Sequence, residues 1–113
     1  MEDKKLFMNT YTGRMFNPLE MVPDNVAIED IAHALSMMCR GNGHLRFFYS
    51  VGLHSINCAQ EAIARGYQTG TVLACLLHDA TEAYIADLIR PVKNQLPEYE
   101  IMENNLFEVI KEK

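Results

Sequence analysis

The sequence has no basic tract, no CxxC pair and no uninterrupted apolar run approaching the ~20 residues that a membrane helix needs. Each absence narrows the field. With a formal net charge of −5 and no cluster of lysine and arginine, a nucleic-acid polymer is not expected as a partner. A pocket for one phosphate stays open, because local charge can oppose the net sign. Only three cysteines occur, Cys39, Cys58 and Cys75, odd in number and set in apolar surroundings. They fit reduced, buried thiols better than a disulfide framework or a zinc knuckle. The start, Met1-Glu2-Asp3-Lys4-Lys5, lacks the apolar core of a signal peptide, so a cytoplasmic location away from membranes is the expectation. No internal repeat, low-complexity tract or linker interrupts the chain.

What is present is an ordinary globular composition, 49% apolar and 22% charged, over 113 residues. That length predicts one domain, long enough to close a core and too short for two. Residues 6–18 carry aromatic and apolar side chains on both sides of Thr12-Gly13, which reads as a short hairpin or extended arm. After a loop from Pro18 to Pro23, Asp24 or Asn25 is placed to cap a helix through Met38, ended by Gly41-Asn42-Gly43. A second helix is predicted from Tyr49 or Ser50 to Arg65, its stripe including Val51, His54, Cys58 and Ala62. A third opens at Thr69 or Thr71 and runs to about Asp79. Ala80 to Leu88 is either its continuation or a separate helix, with Pro91 as terminator. Residues 98–112 form a last amphipathic helix. The chain reads all-α, about five helices behind an N-terminal arm, with 1–23 as arm and 24–113 as helical core.

Chemistry concentrates in Leu76-Leu77-His78-Asp79-Ala80-Thr81-Glu82. Burying imidazole and carboxylate without partners costs several kcal/mol or forces a pKa change. Ionisable groups at the end of an apolar helix therefore point to a metal ion or a catalytic site. His78 and Asp79 diverge by about 100° on a regular helix, yet both reach an ion lying in the angle between them. His54, on the preceding helix, is the candidate third ligand. Imidazole and carboxylate together suit Mn, Fe, Co, Ni or Zn, with Mg less suited. A lone histidine in an amphipathic helix is more often a hydrogen-bonded core residue; the combination on two helices is what carries weight.

His54, the HDATE stretch at 78–82 and Asp87-Leu88-Ile89-Arg90-Pro91-Val92-Lys93 resemble the HD-domain superfamily of metal-dependent phosphohydrolases, in particular its bacterial 5'-nucleotidase-like branch. The resemblance implies an HD-like helical bundle that hydrolyses a nucleoside monophosphate or similar small phosphomonoester. It implies His54, His78 and Asp79 as metal ligands, Glu82 as the carboxylate near the metal-bound water and Asp87 as a pocket carboxylate. It matches Arg40 to a phosphate-contacting arginine and Lys93 to a substrate-side cation. Independently, Glu82 follows His78 by one turn and shares its helix face. Arg40 offers a planar fork for phosphate oxygens. Asp87 either faces the same cavity or caps Arg90.

Other polar residues receive plainer readings. His44 and Arg46 either edge the pocket or lie exposed in a loop. His33 is expected to be packed and bonded to a backbone group. Glu98, Glu100, Glu103, Glu108 and Glu112 read as a solvated helix face. The superfamily uses a further aspartate downstream of the doublet, and no Asp follows Asp87. The resemblance therefore implies a C-terminally shortened domain, with apolar faces left for a homodimer. Its alternative is a catalytically incomplete module that binds metal, nucleotide or a partner protein without turnover.

Overall fold

The computed structural model describes residues 7–112. Strands β1 (Met8–Asn9) and β2 (Met15–Phe16) pair antiparallel around Thr12-Gly13, so the expected arm is a hairpin. After it, the described residues are helical or loop apart from a single antiparallel bridge between Cys39 and Ser50. Helices α1 (Ile28–Ser36), α2 (Val51–Ala64), α3 (Thr69–Leu77) and α6 (Pro97–Glu112) are the longer elements. The single turns α4 (Glu82–Ile85) and α5 (Arg90–Lys93) lie between α3 and α6. No helix among the described residues is long and apolar enough to cross a membrane.

The core gathers Phe16 from the hairpin, Ile31 and Leu35 from α1, Val51 from α2, Tyr84 from α4, and Leu106 and Ile110 from α6. Phe16 meets Tyr84 edge to face, ring centroids 5.1 Å apart. α1 crosses α2 at Gly52, where a Cβ would stand 3.1–3.3 Å from Ser36 and the Leu35 backbone. Glycine is what lets the two helices approach this closely. Asp30 of α1, only 3% exposed, anchors the hairpin: its carboxylate accepts the Thr12 N–H at 2.8 Å and the Thr12 hydroxyl at 3.0 Å.

Three expectations about helix ends are corrected. α1 starts at Ile28 and not behind Asp24 or Asn25, because Pro23–Asn25 forms a separate 3-10 turn and Ala27 stands at the cap. Nor does Gly41-Asn42-Gly43 end α1, which has already stopped at Ser36. That stretch is a 3-10 turn of its own, in which Gly41 and Asn42 take positive φ. Pro91 opens α5 instead of terminating the helix before it. α4 ends at Ala86, whose φ of 74° and ψ of 165° leave helical space altogether. The most apolar segment, α3, holds no fully buried residue, and Leu73 is 53% exposed. It is a covering helix, laid along α2, and not a core helix.

Candidate metal centre and adjoining cavity

Local capping sets the first histidine. The Ser50 hydroxyl accepts the Leu53 N–H at 2.9 Å, which starts α2 and puts His54 in its first turn. Packing of α3 along α2 brings His78, just past the end of α3, against it; the two imidazoles meet edge to face with centroids 5.3 Å apart. The Asp79 carboxylate joins both: its Oδ2 lies 3.0 Å from His78 Nε2 and 3.6 Å from His54 Nε2. His78 Nδ1 sits 2.7 Å from the Cys75 carbonyl, which can only accept, so Nδ1 is the donor. That bond fixes the ring and turns Nε2 toward Asp79, the arrangement that orients ligating histidines. Nε2 and Oδ2 thus face one another as a pair of electron-rich atoms.

Burial lowers the His54 pKa, and Arg40 adds to the effect against the opposing Asp79 charge. His54 is thereby held as the neutral imidazole that a metal binds. The Cys58 thiol, one turn along α2, lies 3.6 Å from His54 Nε2. His54, Cys58 and His78 have donor atoms all within 4.8 Å of one another. Burial pushes the Cys58 thiol up, with Asp79 and Cys75 adding to it. All three cysteines are half-buried instead of buried, and their reading as reduced, buried thiols missed this neighbour. Its signal was in the sequence, since His54 and Cys58 are spaced i to i+4.

Asp79 is shared with a cavity of about 440 Å³ that Arg40, Glu82, Asp87 and Lys93 also line. Between Leu77 and Tyr84 the backbone tightens: the N–H groups of Ala80, Glu82, Ala83 and Tyr84 each donate to the carbonyl three residues back. At three residues per turn, positions i and i+3 eclipse. Asp79 and Glu82 therefore enter the cavity together, while His78 turns to His54. The expectation that Glu82 shares its face with His78 is corrected on this ground. Burial first, then the Asp87 side chain and the Asp79 charge, push Glu82 up to about 9, and its Oε2 is buried without a hydrogen-bond partner among the described residues.

Asp87 reaches the cavity by a different route from the regular helix expected. Reversal at Ala86 redirects the chain, and the Tyr99 hydroxyl of α6 donates to the Ala86 carbonyl. Arg40 is delivered by a short antiparallel pairing at the neck of the 39–50 loop, where its N–H donates to the Tyr49 carbonyl at 2.8 Å. Lys93 is not a free substrate-side cation: its ammonium is 2.7 Å from the Glu103 carboxylate, which raises its pKa. Glu103 accordingly belongs to the cavity wall, a correction to its reading as part of a solvated face. His33 is exposed and stacks on Tyr11 with centroids 3.7 Å apart, so its expected packed site is wrong. His44 and Arg46 are exposed and do not line the cavity.

No protein-family profile matches the chain. The chain is similar to the uncharacterized protein YfdR of Escherichia coli, 40% identical over 107 residues, which cover 95% of this chain and 57% of YfdR. It is also similar to an uncharacterized protein of Rhodobacter capsulatus, 39% identical over 95 residues, covering 80% of this chain and 48% of that protein. The chain thus spans about half the length of the curated relatives it matches.

Proposed function

We propose that the chain is an HD-type, metal-dependent phosphohydrolase acting on a nucleoside monophosphate or a similarly small phosphomonoester. The observation that carries this reading is the convergence of His54, His78 and Asp79, with Asp79 Oδ2 between the two Nε2 atoms, at the edge of a cavity holding Arg40. The cavity's own charges support a cation requirement. Asp79, Asp87, Glu100 and Glu103 face it against Arg40, Arg90 and Lys93, with Glu82 holding its proton beside them, an acidic excess that repels phosphate until a cation offsets it.

His54, His78 and Asp79 would hold a divalent ion, which would supply a water of lowered pKa and polarisation of a phosphoryl oxygen. Arg40 grips the phosphate through its planar fork. Glu82, whose pKa the cavity raises, is placed to exchange a proton with the attacking water and with the leaving oxygen. Asp87, next to Glu82, sustains that raised pKa. The Lys93–Glu103 pair braces α5 against α6 and keeps the wall in place.

Phosphate release from deoxynucleoside monophosphates with Mn or Co, compared with a His78→Ala/Asp79→Ala double variant, tests the proposal. Turnover in the parent and none in the variant is the expected result. Equal rates in the two would remove the catalytic assignment.

A further inference from the structure

Cys58 has no part in the chemistry above, yet its thiol stands among the proposed ligands. Its Sγ is 3.6 Å from His54 Nε2 and 3.8 Å from Nδ1, and its cluster takes in His78. A nitrogen about 2.0–2.1 Å and a sulfur about 2.3 Å from a tetrahedral zinc lie roughly 3.5–3.6 Å apart. The separation in the structure is that of two ligands to one ion. Cys58 also rides on the same helix as His54, one turn away, so α2 alone fixes the spacing without any loop having to close.

We propose that Cys58 is a further ligand, bound as the thiolate, to the ion held by His54, His78 and Asp79, and that this donor set selects zinc. The inference rests on the metal reading given above and adds to it the donor that sets metal choice. Thiolate is a soft ligand that shifts preference away from Mg and Mn toward Zn and Co. On binding, the S–H bond breaks, the sulfur's electron pair goes to the ion and the proton leaves to water. The two imidazoles are common to the Asp79 and Cys58 groupings, so one ion can draw on both.

Cobalt(II) reports the ligand directly, since thiolate ligation gives an intense near-ultraviolet sulfur-to-cobalt band. The full chain loaded with cobalt is expected to show that band, and Cys58→Ser is expected to bind cobalt without it. Zinc affinity, from chelator competition, should fall at least about 10-fold in Cys58→Ser. Zinc should also slow iodoacetamide alkylation of Cys58 while leaving Cys39 and Cys75 unchanged, a readout that needs no variant. Stoichiometric cobalt without the band, together with unslowed alkylation, would overturn the assignment of Cys58 and leave the His54–His78–Asp79 site standing. A chain that takes up neither cobalt nor zinc would overturn both.

Discussion

Nε2 of His78 stands 3.0 Å from Oδ2 of Asp79, its neighbour in the chain. Adjacent residues of a regular helix point about 100° apart. These two meet because α3 stops at Leu77 and the Cys75 carbonyl holds the imidazole by its other nitrogen. Asp79 then does two things at once, touching both imidazoles and forming part of the cavity wall.

If Asp79 is a ligand, Asp79→Asn should lower zinc or cobalt affinity by about 100-fold while the circular dichroism of the helices stays the same. Isothermal titration against the metal measures this. An unchanged affinity would mean that the ion sits elsewhere.

Glu82 gives the chelator-treated protein a distinctive pH response. Its folded pKa of about 9 lies above the ordinary value of 4.5. Above about pH 4.5 the unfolded chain releases a proton that the folded chain keeps, so the Glu82 contribution is fully present below that pH. It declines as pH rises and is lost once folded Glu82 ionises near pH 9. Glu82→Gln should lack this decline, and urea midpoints of the two proteins compared between about pH 5 and 9 isolate it from other groups. Parallel pH profiles would count against the buried, proton-holding Glu82.

Ala86 occupies a backbone region that belongs essentially to glycine, at a cost of about 1–3 kcal/mol. Ala86→Gly should relieve it, less the extra freedom gained by the unfolded chain, for a net gain of about 1 kcal/mol in urea unfolding. Tyr99→Phe removes the hydroxyl that holds this carbonyl, and should destabilise by about 1 kcal/mol. A destabilised Ala86→Gly would show that the reversal carries no strain.

Asp30 ties the hairpin to α1. Burial raises its pKa, and the Thr12 N–H, the Thr10 and Thr12 hydroxyls and Arg14 outweigh burial, so the net shift is downward. Its contribution is present above the unfolded carboxylate value and lost as pH falls through the lower folded one. Asp30→Asn should cost about 2 kcal/mol at neutral pH, since the amide cannot accept both Thr12 bonds as a carboxylate does. The difference should shrink in acid; a constant gap down to pH 2 would contradict the linkage.

Helix positions were legible where apolar spacing and caps are local, as in α2 behind Ser50, while at Thr12-Gly13 the sequence left a hairpin or an extended arm open and the strand pairing decided for the hairpin. Places where the chain reverses were harder. Pro91 and the Gly41–Gly43 stretch carry the composition of helix stops, yet one starts a helix and the other forms an independent turn. A breaker marks a boundary without saying which side of it is helical. Of the site residues, Arg40, Asp79, Glu82, Asp87 and Lys93 do share one cavity. The pairing of Lys93 with Glu103 was not legible, because it joins α5 to α6.

By itself the sequence determined the helical character, the presence of an N-terminal arm and which ionisable side chains the helices carry, since these depend on residue type and short-range spacing. Tertiary structure decided how they are divided between two neighbouring spaces. Packing of α3 along α2 joined His78 to His54 and Cys58, and a 3-10 tightening after Leu77 sent Asp79 and Glu82 into the cavity together. A change from 3.6 to 3 residues per turn is nearly invisible in side-chain pattern, and it reassigns which carboxylate faces which partner.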